Sequence, residues 1–282
     1  MKTKVSAVII TYNEAGNLVR TLSQLYWCDE IIVVDSYSTD DTVAICRYYG
    51  CKIFHRSFKG HAEQKQFAIG KAVNDWILCI DADEYLTPRL VEELANELED
   101  TGEYAGYTIP RNLVFRGKEF KYGSESYRYH LKLFSRKWSI LKKGTGKEPI
   151  EVIGQVKKLT KTIQHNGYRN IHQFLSKLHV NSDSRINLAL NKKKMEPHAL
   201  IFALIPFHFI KYYIINRNFL NGINGFYWSV LCAFRQFTEY VKLQDIREMR
   251  SDDNDCIINL ILSKTPEENS IFLTPMTAEH LN

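Results

Sequence analysis

The chain has 282 residues, 45% of them hydrophobic, which is enough to bury one large domain or a domain with an appendage and excludes disorder as the starting assumption. Lys and Arg number 37 against 32 Asp and Glu, and a net charge of +5 is too small and too dispersed to argue for nucleic acid. Six cysteines without a CxxC pair fit free thiols in a reducing compartment, and the apolar run Val5–Ile10 is too short for a signal peptide, so a cytoplasmic-facing protein is expected.

Short apolar runs at Val5–Ile10, Ile31–Val34, Lys52–Phe54 and Trp76–Ile80 alternate with helical patterns. The helical signals are Leu18, Leu22 and Leu25, then capping residues Ser38 to Asp41 before Val43, then Phe67, Ala68 and Ala72. This alternation predicts a parallel sheet with right-handed crossovers. Thr87-Pro88, a cap followed by proline at the first helical position, predicts a fourth helix to about Leu98. From Tyr104 to about His165 the β-rich segments Gly106–Ile109, Leu131–Phe134 and Ile150–Ile153 predict a more antiparallel half. A helix is expected near Ile171–Val180, followed by an apolar and aromatic stretch over 199–241 and a polar tail. The expected divisions are 1–170, 171–250 and 251–282.

In doubly wound sheets ligands bind beyond the carboxyl ends of the strands, so the residues just after each run carry the functional argument. Strand one is followed by Thr11-Tyr12-Asn13-Glu14, strand two by Asp35-Ser36-Tyr37-Ser38-Thr39-Asp40, and the fourth by Asp81-Ala82-Asp83-Glu84. Each segment alone is ordinary turn and cap chemistry. Together at one sheet edge they exceed what capping requires. Asp35 can accept hydrogen bonds from a base or ribose, or can simply cap. Asp81 and Asp83, two positions apart after a buried strand, suit Mg²⁺ or Mn²⁺ opposite phosphate oxygens. No GxxxxGK[ST] occurs, and no GxGxxG follows the first strand, which argues against a P-loop ATPase and a nicotinamide dehydrogenase.

In order and spacing, Val8–Glu14, Val33–Asp40, Gln64–Ala68 and Asp81–Glu84 resemble the family 2 glycosyltransferases, in particular the lipopolysaccharide-core glucosyltransferase branch. The resemblance continues more weakly through Ile109–Asn112, Leu131–Phe134, Gly154–Leu159, His165–Tyr168 and Phe219–Gly222. It implies an α/β Rossmann-like fold of the GT-A type, with a mostly parallel sheet and a helical C-terminal extension. It also implies that Thr11, Tyr12, Glu14 and Asp35 surround uridine or another nucleoside. Asp81 and Asp83 would lie against the diphosphate with Asp83 as the more direct metal ligand, and Lys65 would approach the phosphates or sugar. The implied chemistry is inverting and needs a general base. Relatives usually place a His-Glu pair where this chain has Lys147-Glu148-Pro149, and often a Pro-Asp where it has Tyr127-Arg128. Glu148 is the expected base, with Glu125 behind it.

The segment Ala199–Ile215 contains Pro206, His208 and Lys211, too interrupted for a spanning helix. It can lie in a membrane interface, with Lys192-Lys193-Lys194 and Arg217 toward head groups, or pack as core. The expected activity is transfer of a hexose, glucose by default, from a UDP-sugar to a lipid-linked or lipopolysaccharide-core saccharide at the inner membrane face. A catalytically silent nucleotide-sugar-binding scaffold and a sugar-1-phosphate nucleotidyltransferase are the rivals.

Overall fold

The computed structural model describes residues 3–141, 150–168, 171, 173–175, 178 and 201–251. The chain divides into two compact units, Met1–Arg169 and Asn170–Asn282. Four parallel strands open the first unit: β1 (Val5–Thr11), β2 (Glu30–Asp35), β3 (Lys52–His55) and β4 (Trp76–Asp81), in spatial order β3-β2-β1-β4. Val5, Ala7, Val8 and Ile9 are all buried, so β1 is covered on both faces, as its unbroken apolar run requires. The register sets Thr11 opposite Asp35, Asp35 opposite His55, and Ile10 opposite Asp81. The polar ends of three strands therefore share one level.

Helices α1 (Ala15–Leu22), α2 (Thr42–Tyr48) and α3 (His61–Lys71) are the crossovers. Leu18 and Leu22 of α1 pack with Ile9, Val33 and Leu78 on one face, while Ala68 and Ile69 of α3 pack with Val8, Ile32 and Ile77 on the other. The result is the three-layer arrangement of a doubly wound sheet. After β5 (Glu84–Leu86), helix α4 (Pro88–Glu99) starts at Thr87, whose hydroxyl accepts from the Leu90 N–H. It buries Leu90, Leu94 and Leu98, one stripe at four-residue spacing.

The sheet continues through β6 (Tyr104–Phe115), β7 (Lys118–Glu119), β8 (Arg128–Ser135), β11 (Gln155–Lys158) and β12 (Ile163–Tyr168), while β9 (Ser139–Leu141) and β10 (Ile150–Val152) form a separate ribbon. Strand β8 runs antiparallel to both β4 and β6, as expected for this half. By contrast, β11 and β12 run parallel to β6, following it in turn from Tyr104 to Phe115, because the chain leaves β8 at the end where β6 begins; β12 then closes on β5. That reversal of direction has no signature in the local alternation of residues.

In the second unit, α5 (Ile201–Ile210) carries Pro206 inside the helix and runs into a π-turn at Lys211–Ile215. A short 3₁₀ turn, Asn218–Asn221, precedes α6 (Ile223–Ser251). Gly225 is required there: a Cβ would stand 1.8 Å from the Asn218 carbonyl oxygen. Trp228 is buried against Phe174, edge to face at 5.9 Å. Phe207, Ile210, Ile214, Ile215, Leu220 and Ile223 are exposed. No helix of the described residues is long and apolar enough to cross a membrane.

Candidate active site

The loops after β1 and β2 are tied to each other by side chains. The Asn13 N–H donates to the Ser38 hydroxyl, and the Thr39 N–H donates to the Asn13 side-chain oxygen at 2.8 Å. The Glu14 N–H reaches the Thr42 hydroxyl, and the Asp40 carboxylate accepts from the N–H groups of Ala15 and Thr42. Asn13 and Tyr37 hold left-handed backbone at φ 52° and 63°, conformations such a network must over-determine. Asp35 is buried and accepts from the N–H and hydroxyl of Ser38, with His55 Nδ1 at 3.2 Å. Tyr37 stacks on His55, and both Tyr37 and Tyr12 are exposed, giving an aromatic shelf beside this carboxylate. The buried Thr11 hydroxyl has no hydrogen-bond partner among the described residues, while the Glu14 carboxylate is held by Asn17 at 2.6 Å.

The acidic turn after β4 is fixed at three points. The Asp81 N–H donates to the Glu84 carboxylate, the Ala82 carbonyl accepts from the Thr21 hydroxyl, and the Asp83 carbonyl accepts from the Asn166 N–H. Around it lies an ion-pair cluster. Lys65 Nζ of α3 is 2.6 Å from Asp81 Oδ1, and Lys132 Nζ of β8 is 3.5 Å from Asp81 Oδ2 and hydrogen-bonded to Glu84. Arg111 Nη1 takes the other Glu84 oxygen at 3.2 Å. Burial pushes the Asp81 carboxyl up, but Lys132 and Lys65 beside it pull it well below its ordinary value. Burial likewise opposes the charges of Lys65 and Lys132, and the neighbouring Asp81 carboxylate outweighs it, raising both.

Asp83 faces a histidine: His165 Nε2 of β12 is 3.4 Å from Asp83 Oδ2. Burial disfavours the His165 cation, and Asp83 reverses that effect and raises the imidazole. A carboxylate and an imidazole that gives up its proton to the incoming cation suit Mn²⁺, and one or two protein donors beside phosphate oxygens suit Mg²⁺. Among the described residues no three His, Cys, Asp or Glu side chains converge as a metal cage. The donor set therefore fits a cation that takes its remaining ligands from a bound phosphate and water.

Of the expected residues, Thr11, Tyr12, Glu14, Asp35, Lys65, Asp81 and Asp83 all stand on the ends of β1, β2 and β4 or on α3 facing Asp81. Glu125 lies before β8, with Arg128 at 3.7 Å; its carbonyl accepts from Leu113, which pairs with His165. Glu148 lies outside the described residues. Sequence reasoning gave no role to Glu84, Arg111, Lys132 or His165. The visible signal for Lys132 was a lysine within the apolar run Leu131–Phe134, and for Glu84 its place directly after the two aspartates.

A model of the family described as "Glycosyl transferase family 2" matches residues 6–150, just over half of the chain. An uncharacterized glycosyltransferase of Rickettsia felis is 31% identical over 257 residues, 86% of this chain and 90% of that protein. The lipopolysaccharide core biosynthesis glycosyltransferase LpsC of Rhizobium meliloti is 26% identical, covering 90% of this chain and 96% of that one. Among solved structures, S. aureus TarS 1–349 in complex with UDP-GlcNAc aligns with a TM-score of 0.41 at 14% identity, over 88% of this chain and 92% of that chain. The family match and the length of the shared sequence agree with the strand-end residues, and the chain belongs to glycosyl transferase family 2: it is a glycosyltransferase.

Proposed function

We propose that this glycosyltransferase moves a hexose, glucose by default, from a UDP-sugar to a lipid-linked or lipopolysaccharide-core saccharide, with inversion at the anomeric carbon. The observation that carries the reading is the adjacency of an aromatic, hydrogen-bonding shelf at Asp35 to the cationic cluster on Asp81. A shelf beside concentrated positive charge suits a nucleoside joined to a diphosphate. In this reading Thr11, Tyr12, Glu14 and Asp35 surround the uridine, Lys65 meets the diphosphate, and Asp81 lies against it. Asp83, with His165 beside it, holds Mg²⁺ or Mn²⁺, and Asp81 adds its negative charge. A bound cation neutralises charge on the departing diphosphate.

The protein's own groups then do two things. The pinned turn keeps Asp83 and His165 in place without reorganisation, and a carboxylate takes the acceptor hydroxyl's proton as that oxygen attacks. Glu148 and Glu125 are the candidates for that base. The Rhizobium relative, a lipopolysaccharide core biosynthesis glycosyltransferase, supports the acceptor class. The exposed apolar residues of α5 and the π-turn, next to Lys211 and Arg217, support attachment to the cytoplasmic membrane surface.

Calorimetric titration with UDP, with and without Mn²⁺, tests the donor site. Metal-dependent binding that disappears in Asp83→Ala, with the thermal midpoint retained, is the expected result. Equal binding by both proteins would overturn the assignment of Asp83. Release of UDP from UDP-glucose in the presence of a lipopolysaccharide-core acceptor then tests the transfer.

A further inference from the structure

Asp81 has two lysine partners, and they differ in kind. Lys65 projects from α3, retains 13% side-chain exposure and pairs with Asp81 at 2.6 Å. Lys132 is 6% exposed, comes from the middle of the sheet, and is hydrogen-bonded to the fully buried Glu84 while lying 3.5 Å from Asp81. Glu84 is itself held by Arg111 and by the Asp81 N–H. Three cations thus act on two carboxylates, an imbalance that favours an incoming anion. A partly buried carboxylate stripped of a single partner would be left uncompensated and strongly disfavoured. Asp81 with two partners escapes that penalty when one of them leaves.

We propose that Lys65 leaves Asp81 for the donor's diphosphate when the donor binds, while Lys132, fixed by Glu84, stays and keeps Asp81 neutralised. This deepens the donor-site reading above and rests on it. Lys65 is then the exchangeable cation, the one with solvent access, and Lys132 is a positioning residue that never touches the donor. Its place could not be taken by a neutral side chain, because Asp81 would then hold Lys65 back.

The test compares UDP affinity and steady-state constants for the wild type, Lys132→Met, Lys132→Arg, Asp81→Asn and the double variant Lys132→Met/Asp81→Asn. Lys132→Met is expected to weaken UDP binding and raise the donor KM by about tenfold or more, with a smaller change in kcat. Lys132→Arg restores both to within a few-fold. In the Asp81→Asn background, where the loss of Asp81's own charge is common to both proteins, adding Lys132→Met should cost UDP affinity no more than a few-fold, because no carboxylate is left to hold Lys65 back. UMP affinity should respond less than UDP affinity in every variant, since Lys65 serves the terminal phosphate. If Lys132→Met does not fold, Lys132→Arg and the double variant still decide: arginine that fails to sustain binding, or a folded double variant that binds UDP about tenfold or more weakly than Asp81→Asn, overturns the exchange. Unchanged UDP affinity in Lys132→Met overturns it alone, whereas a wild type that binds no UDP overturns the donor-site reading and this inference with it.

Discussion

Asp35 and Asp81 end the two strands that flank β1, yet they are satisfied in opposite ways. Asp35 is met by Ser38, three residues on, and by His55 on the adjacent strand. Asp81 is met by cations from α3 and from β8, the latter 51 residues away. The first carboxylate sits in a short-range hydrogen-bonded loop, which holds a ligand surface still. The second sits in a long-range charge cluster, which responds to the arrival of another charge. In the function proposed above, a nucleoside meets the first kind of surroundings and a leaving diphosphate the second.

The sharpest way to break this contrast is to disturb the charge cluster at its base. Glu84→Gln leaves the part-buried Arg111 without its carboxylate and the buried Lys132 with only the longer contact to Asp81, and an expected loss of about 3 kcal/mol should appear in urea unfolding. Stability within 1 kcal/mol of wild type, on the order of an exposed pair, would mean the cluster is not electrostatically closed. A second test uses pH. Because Lys132 and Lys65 hold the Asp81 carboxyl well below its ordinary 3.8 despite its burial, the stability it contributes is present above about pH 4 and lost as pH falls through the folded value. The stability gap between wild type and Asp81→Asn should therefore shrink in acid, and a gap constant from neutral to acid pH would count against the pairing.

At the other carboxylate the effects should be smaller and confined to binding. Asp35→Asn keeps the shape but gives one of its donors an amide to face, so uridine affinity should fall by about tenfold with little loss of fold. A collapse in stability instead would move Asp35 from ligand surface to structural anchor. Ser38→Ala removes the hydroxyl that links Asn13 to Asp35, and about 1 kcal/mol of stability is the expected cost. Calorimetry of the same variant would reveal whether the left-handed backbones at Asn13 and Tyr37 relax.

The same contrast explains what could be read from the chain beforehand. The parallel strands, the cap at Thr87 and the strand-end aspartates are written in neighbouring residues, where burial and turn chemistry act locally. Glu84, Lys132, Arg111 and His165 are brought together only because β8, β6, β12 and β5 pair across long intervals. A lysine amid Leu131, Leu133 and Phe134 carries no mark of the carboxylate it will meet. The parallel course of β11 and β12 was hidden for the same reason: strand alternation encodes a face, not a direction.

The pairing of β5 with β12 joins Leu86 to Ile163 and Glu84 to His165. During synthesis the acidic turn therefore emerges from the ribosome long before the strand that completes it. Until then the edge of β5 is unpaired, and the histidine beside Asp83 is absent. A fragment ending before β12 would contain every strand-end aspartate yet lack both the strand that pairs with β5 and the imidazole beside Asp83. Such distant pairings slow folding and extend the time that sheet edges lie open to other chains. Closure of the sheet around the acidic turn thus comes late, and the yield of folded enzyme should depend on how well the nascent chain is shielded while it waits.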